Sequence, residues 1–513
     1  MRIAAVLFGA VLYALALPPF DWSVFGWFAL VPLLLVVRRQ PTASAFWYGV
    51  LGGYAFGWAI TWSIAEMGVR YFGLPFPLGV AAFALYYFVV CGIPFGLFAA
   101  GTALMSQSRN ACRAGVLVPL LWVTSEFVRG RVFGQPWGLL GYTQHGHVGL
   151  IQVAACTGVY GVSFLLALGG TAAAEAVCRW RDGLGLRHTV HAFVVPGLVI
   201  GACWTGGAVC LRTRSAGSGP EREVAVVQTN VSPARHWTRS YTQAQLIAHL
   251  RATDSLPAAA HPALIVWPEN AVPRYLEAEP MVAVQLADLA VRHRADLLFG
   301  GPRLEAGKVY NSARLITAGG RNGGHYDKQR LLLFAEEKPL LSVTTRTPND
   351  TPEEFTPGVE NGVLRSFVPL GVSICHEITH PDVIVRAVRD GAELLVNIAN
   401  DGWLDAGYEF AGRQHLAMAV FRAVETRRYL VRAATTGTSA VIDPYGRIVD
   451  SLPPGAAGVL TTRVAGGSAV TPYVRLGDLF VLVCATIAAA ALVDRAPRLV
   501  RRGASAARAR VPA

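Results

Sequence analysis

Apolar residues cluster into long runs towards both ends of this chain, and break into short alternating stretches between about 211 and 475. A helix that crosses a bilayer needs about 20 mostly apolar residues. Eight runs are candidates: roughly 3–17, 23–37, 44–64, 76–106, 114–127, 148–176, 189–210 and 476–494. The fourth contains Pro94, which a buried membrane helix tolerates. The first, preceded by Arg2, also has the shape of a signal peptide. Against that, further apolar runs follow at once, and Pro18-Pro19-Phe20-Asp21-Trp22 reads as a tight interfacial turn.

The middle of the chain has a different period. Short β-rich runs bounded by turn residues predict strands at 223–229, 263–268, 296–300, 309–316, 368–375, 393–398 and 437–442. Helical patterns fall between several of them, at 240–254, 280–293, 381–389 and 412–428. Alternating strands and helices predict an α/β domain. Linker-like stretches flank it, Arg214–Pro220 before and Ala465–Ser468 after, and some 250 residues can bury one good core. The expected organisation is a membrane domain over 1–210 with seven helices, the α/β domain over 221–465, an eighth helix over 475–494 and a basic tail over 495–513.

Composition agrees with a membrane protein. Of 513 residues, 53% are hydrophobic and only 15% charged, against about 25% charged in an average soluble protein. The aromatic content of 10% excludes a disordered chain. The formal charge is +12, but no basic stripe is interleaved with aromatics, so nucleic acid is not an expected partner. The arginines instead set an orientation by the positive-inside rule. With the N-terminus in the cytoplasm, the cytoplasmic segments and tail carry fourteen, while the short external loops carry only Arg70, Arg129 and Arg131. The α/β domain then faces the extracytoplasmic side. Arg129 and Arg131, ahead of Gln135-Pro136-Trp137-Gly138, have two readings: contacts to lipid phosphates beside a site, or solvated loop charges and partners of Glu126.

Candidate chemistry lies at strand ends. Seven of the eight cysteines lie in or beside the apolar runs; Cys375 alone lies within the α/β domain. It is either a small buried hydrophobe or a nucleophile, and its position at the carboxyl end of an apolar strand favours chemistry. A thiol nucleophile needs a base or a positive field, and donors for an oxyanion. Glu269 follows the strand ending Val266-Trp267-Pro268, and Lys328 precedes Leu331-Leu332-Leu333-Phe334. Only three of the 45 basic residues are lysines, so a retained Lys328 hints at chemistry that arginine cannot do. No CxxC or HExxH spacing exists, and no metal is expected.

Glu269, Lys328 and Cys375, in that order and context, resemble the Glu–Lys–Cys triad of the nitrilase superfamily. Leu17-Pro18-Pro19-Phe20-Asp21, Trp137-Gly138-Leu139-Leu140-Gly141-Tyr142, Val227-Gln228-Thr229-Asn230, Asn400-Asp401-Gly402-Trp403, Arg413-Gln414-His415 and Ser439–Gly446 narrow this to the apolipoprotein N-acyltransferase family. The resemblance spans nearly the whole chain. It implies an α-helical polytopic bundle of about eight transmembrane helices, joined to a nitrilase-like αββα sandwich.

By position, the resemblance makes Glu269 the general base, Cys375 the nucleophile and Lys328 the oxyanion stabiliser. Glu336 matches a further acid essential in the family, Glu377 follows the nucleophile by two as the family requires, and Trp237 resembles a residue near the substrate entrance. Asn230, Trp403, Arg129 and Arg131 are further substrate-binding candidates. His376 stands where the family usually has Tyr, which adds a possible titrating group beside the thiol. Ala335-Glu336-Glu337 and Asn400-Asp401-Gly402-Trp403 also depart from the family's Gly-Glu-Tyr and Asn-Asp-Ala-Trp.

The implied reaction has two halves. A phospholipid acylates Cys375, and the α-amine of an S-diacylglyceryl cysteine at a lipoprotein N-terminus then takes the acyl chain. The implied partners are a phospholipid donor, a diacylglyceryl apolipoprotein acceptor and the bilayer. No cofactor is expected, and the protein would be a monomer in the bacterial inner membrane. The rival readings are a membrane-tethered amidase that gives the acyl group to water, and a non-catalytic scaffold or transporter with a degenerate nitrilase domain.

Overall fold

The computed structural model describes residues 1–72, 75–106, 111–213, 219–234, 237–332, 336, 354–359, 363–403 and 409–494. The basic tail and the side chain of Trp403 lie outside the described residues. The chain divides into two units, one of Met1–Trp62, Ala81–Val209 and Leu476–Ala513, the other of Ser63–Val80 and Cys210–Arg475.

The first unit is helical. Among the described residues, three helices are long and apolar enough to cross a membrane: Phe76–Ser106, Val159–Arg181 and Gly185–Thr213. Arg2–Ala16 and Leu479–Val493 are shorter apolar helices. Two expected runs are broken. The run 23–37 becomes a 3-10 turn, Ser23–Trp27, and a helix, Val31–Val37. The run 148–176 is interrupted at Gly158, whose φ of 64° ends one short helix before Val159–Arg181 begins. Packing is close where small residues permit it. A Cβ at Gly49 would lie 2.3 Å from the Phe95 carbonyl oxygen, and one at Gly53 2.4 Å from that of Cys91. These two glycines, four apart on one face, let the helix Thr42–Phe72 lie backbone-to-backbone against Phe76–Ser106.

The second unit is an α/β sandwich of two six-stranded sheets. The strands are β1 (Arg222–Gln228), β2 (Leu264–Val266), β3 (Asp296–Glu305), β4 (Lys308–Ile316), β5 (Asn322–Asp327), β6 (Val363–Arg365), β7 (Pro369–Ile374), β8 (Leu394–Ala399), β9 (Leu430–Ala434), β10 (Ser439–Ile442), β11 (Ile448–Leu452) and β12 (Gly458–Val464). The orders are β12-β1-β2-β3-β4-β5 and β11-β10-β9-β8-β7-β6. The neighbours β1–β2–β3 and β7–β8–β9 run parallel, and the remaining pairs are antiparallel.

Parallel strands are covered on both faces, which explains the near-continuous apolar run Val224–Val227 on β1. Alternate residues divide between two layers. Val224, Val226, Leu264, Val266, Val372, Ile374, Val396 and Ile398 fill the core between the sheets. Ala225, Val227, Ile265 and Trp267 face the helix layer, where Leu286 and Leu289 of the helix Pro280–His293 cover them. Glu269, Cys375 and Asn400 follow the carboxyl ends of β2, β7 and β8, and Lys328 follows the end of β5.

Candidate active site

Each expected triad residue leaves a strand end. Cys375 directly follows β7 and opens a 3-10 turn, Cys375–Thr379, with a left-handed φ of 51°. A non-glycine residue held there is strained, and the surroundings must enforce it. Glu269 stands three residues beyond β2. Its turn passes so close to β3 that a Cβ on Gly300 would lie 2.6 Å from the Glu269 Cα, so only glycine fits at that position. Lys328 immediately follows β5, its N–H donating to the Asn311 carbonyl (2.8 Å) and its carbonyl accepting from the Gly358 N–H (2.8 Å).

Burial is close to complete: Glu269 is 4% exposed, Lys328 2% and Cys375 7%. Lys328 Nζ lies 2.8 Å from a Glu336 carboxylate oxygen and 3.5 Å from Glu269 Oε1. Asn311 Nδ2 donates to both carboxylates, at 2.8 Å to Glu269 and 2.7 Å to Glu336. Glu269 also accepts the Asn400 N–H (3.0 Å), and Glu336 the Leu332 N–H (2.9 Å).

Charge balance decides the protonation states. Burial alone would push the Lys328 ammonium down, but the carboxylates of Glu336 and Glu269 outweigh it and hold the lysine firmly charged. Burial, followed by Glu269, pushes the Cys375 thiol well up, and Lys328 offsets only part of this. The resting thiol therefore keeps its proton. A thiol in this state can serve as a nucleophile only by passing its proton to a base, which is general-base activation rather than a standing thiolate. Among the described residues no group of three or more His, Cys, Asp or Glu could hold a metal ion.

Two family models match the chain, the N-terminal domain of apolipoprotein N-acyltransferase over residues 9–172 and carbon-nitrogen hydrolase over 223–470. The apolipoprotein N-acyltransferase of Geobacter metallireducens is 33% identical over 503 residues, covering 96% of this chain and 94% of the relative. That of Caulobacter vibrioides is 32% identical, covering 93% and 91%. The chain belongs to the apolipoprotein N-acyltransferase family. A solved nitrilase-superfamily structure, Saccharomyces cerevisiae Nit3, is similar at 19% identity and a TM-score of 0.35, covering 49% of this chain and 92% of that one.

Glu377, two residues beyond Cys375, has a structural use. Glu377 is fully buried and accepts from Gln329 N–H (2.7 Å), Arg330 N–H (3.0 Å), Ile374 N–H (2.8 Å) and Tyr326 Oη (3.0 Å). It ties the Lys328 loop to the Cys375 turn. Burial pushes its carboxyl up, and these N–H donors, with Lys328, pull it back.

His376 does not titrate near neutrality. Burial, then His380, His415 and Lys328, hold its imidazole well below the usual range, so it remains neutral.

From sequence, Arg129 and Arg131 have two readings, contacts to lipid phosphates or loop charges and partners of Glu126. Arg129 and Arg131 lie on a helical turn, Val128–Val132, that prolongs the helix Ala111–Phe127. Arg129 is 1% exposed and donates to the carbonyls of Trp137 (2.5 Å) and Gly138 (3.1 Å). Arg131 pairs with Asp478 at 2.8 Å. Arg129 thus braces the Trp137–Gly138 turn from inside and offers no exposed group to a phosphate.

The outer candidates are scattered. Trp237 is buried just before the helix Arg239–Asp254. Asn230 is exposed, with φ 54°, and its Nδ2 donates to the Gly455 carbonyl (2.6 Å), a turn-holding role. Trp403 ends the 3-10 turn Asp401–Trp403. Sequence reasoning missed Asn311, Tyr326, Asn397 and Arg432. For Asn397 and Arg432 the signal was a polar residue interrupting an apolar strand, as in Leu430-Val431-Arg432-Ala433-Ala434; Tyr326, on the polar strand β5, had none.

Proposed function

We propose that this enzyme moves a fatty acyl chain from a membrane phospholipid, through a Cys375 thioester, to the α-amine of the S-diacylglyceryl cysteine of an apolipoprotein. The observation that carries the reading is the buried Lys328, held charged between Glu269 and Glu336 beside a thiol that still has its proton. A cation fixed in a dry site stabilises developing negative charge far better than one in water.

In the first half-reaction Glu269 takes the Cys375 proton as the sulfur attacks the ester carbonyl. The oxyanion rests on Lys328 Nζ and the His376 N–H. The C–O bond breaks, and the lysophospholipid leaves with the proton that Glu269 returns. In the second half, the neutral α-amine attacks the thioester, Glu269 receives an amine proton, and the C–S bond breaks to give an amide. The proton returns to Cys375. Thioester aminolysis is downhill, and an α-amine with an ordinary pKa of about 7.7–8.0 is neutral in only roughly a fifth to a third of molecules near pH 7.4, a fraction that rises with pH.

Both substrates are lipid-anchored, so the reaction belongs at a bilayer surface. Eight spans, with the catalytic domain on the extracytoplasmic side of the bacterial inner membrane and a monomeric enzyme, complete the reading; the distribution of arginines supports it.

The test is transfer of labelled acyl chain from phospholipid to a diacylglyceryl peptide by purified enzyme. Label should appear on a peptide with a free N-terminus and not on its N-acetylated form. Free fatty acid released at one rate with or without peptide would make the protein a hydrolase.

A further inference from the structure

Behind the nucleophile lies a buried polar row that the mechanism above does not use. Ser373, Asn397 and Arg432 are side-by-side partners across β7, β8 and β9. Their neighbours Val372, Ile374, Val396, Ile398, Val431 and Ala433 face the core between the sheets. The row therefore points to the opposite face, which the buried helix Phe410–Thr426 serves. Asn397 and Arg432 are both fully buried.

Asn397 Nδ2 donates to the Ser373 carbonyl (3.2 Å), to Ser373 Oγ (3.0 Å) and to the Cys375 carbonyl (3.4 Å). Arg432 donates one guanidinium nitrogen to Asn397 Oδ1 and another to Asp401 Oδ2 (2.6 Å). Asp401 also accepts from His415 Nδ1 (3.0 Å). A guanidinium carries no acceptor, so Asn397 must turn its oxygen to Arg432 and its nitrogen to the nucleophile's backbone. The amide has one possible orientation here.

A planar trans peptide points its carbonyl and its N–H in opposite directions. Asn397 draws the Cys375 carbonyl towards the helix layer, so the His376 N–H of the same peptide is aimed away from that layer. We infer that Asn397, oriented by the Arg432–Asp401 pair, is a positioning residue that sets the direction of the His376 N–H in the oxyanion hole. A buried ion pair is a poor source of stability but a good source of specificity. Here it locks a single peptide plane at a residue already forced to left-handed φ.

The inference rests on the acyl-enzyme reading of Cys375, and two reactions of that thiol separate the two. Acylation by phospholipid needs an oxyanion donor. Alkylation by iodoacetamide is a direct displacement and needs none. In the full-length enzyme in detergent, Asn397→Leu should slow acylation by phosphatidylethanolamine on the order of 100-fold, the cost of a lost oxyanion donor. Its alkylation rate and its KM for phospholipid should stay within about threefold, because neither depends on that donor. Arg432→Lys keeps the charge but cannot hold both partners, and should lose roughly tenfold in acylation alone, a fraction of a full donor's worth. It also serves if Asn397→Leu fails to fold. Parallel loss of acylation and alkylation, or loss of neither, would overturn the inference. Wild-type enzyme that alkylates but never acylates would instead overturn the acyl-enzyme reading.

Discussion

In the helical unit, Glu126 and Arg129 sit one turn apart and fully buried. Glu126 accepts the Leu140 N–H (2.6 Å) and lies 3.1 Å from Tyr13 Oη, while Arg129 holds the Trp137 and Gly138 carbonyls. In the sandwich, Lys328 is equally buried, but its Nζ contacts two carboxylates and faces a thiol. The first pair uses most of its hydrogen bonds on the backbone of Trp137–Leu140 and fixes it. The second holds its cation between two carboxylates, within electrostatic reach of the Cys375 thiol. Buried charge by itself therefore says little about chemistry; the partners of the cation distinguish a brace from a catalytic centre.

The comparison breaks or sharpens under substitution. Cys375→Ala should abolish acyl transfer, on the order of 10⁶-fold as for loss of a covalent nucleophile, with the thermal midpoint nearly unchanged. Arg129→Met should do the reverse. It leaves the Trp137 and Gly138 carbonyls without their buried donor, at a cost of roughly 1–3 kcal/mol, read as a lower thermal midpoint in detergent; the turnover of the molecules that remain folded should change little. A large fall in turnover without loss of stability would place Arg129 in the chemistry.

Gly300→Ala should affect both quantities. The new Cβ collides with the Glu269 Cα and with the Pro268 carbonyl at 2.8 Å. Overpacking of this kind costs about 1–3 kcal/mol, and displacing the base should lower turnover further. Unaltered turnover would mean that Glu269 need not hold its place.

The smallest effect concerns pH. Burial, only partly offset by a bond to the Gln245 carbonyl, pushes His249 down to about 4, while the unfolded chain titrates near 6.5. The unfolded state then takes up the proton first. Stability is full above about 6.5 and falls as pH drops towards about 4. Thermal midpoints of wild type should show that slope, and His249→Gln should flatten it.

Much of this was readable from patterning, and the omissions have physical causes. Each predicted strand run overlaps an observed strand, because apolar alternation reports burial directly. β5, Asn322-Gly323-Gly324-His325-Tyr326-Asp327, has no such alternation; its pairing with β4 makes it a strand. The breaks at Gly158 and after Trp27 were hidden because uniform apolarity carries no period. Glu269, Lys328 and Cys375 stood out by residue type at strand ends. Asn311 and Asn397 did not, since an asparagine's role depends on which strands it lies between. Arg129 stayed open between two readings for the same reason: only the folded loop shows which carbonyls its guanidinium meets.

The most direct measurement is the intact mass of purified enzyme after incubation with phospholipid and no acceptor, beside Cys375→Ala. The account predicts one fatty-acyl increment on the wild type, absent from the variant and discharged by a diacylglyceryl peptide with a free N-terminus. An increment on both proteins, or one that water removes as fast as the peptide does, would contradict it.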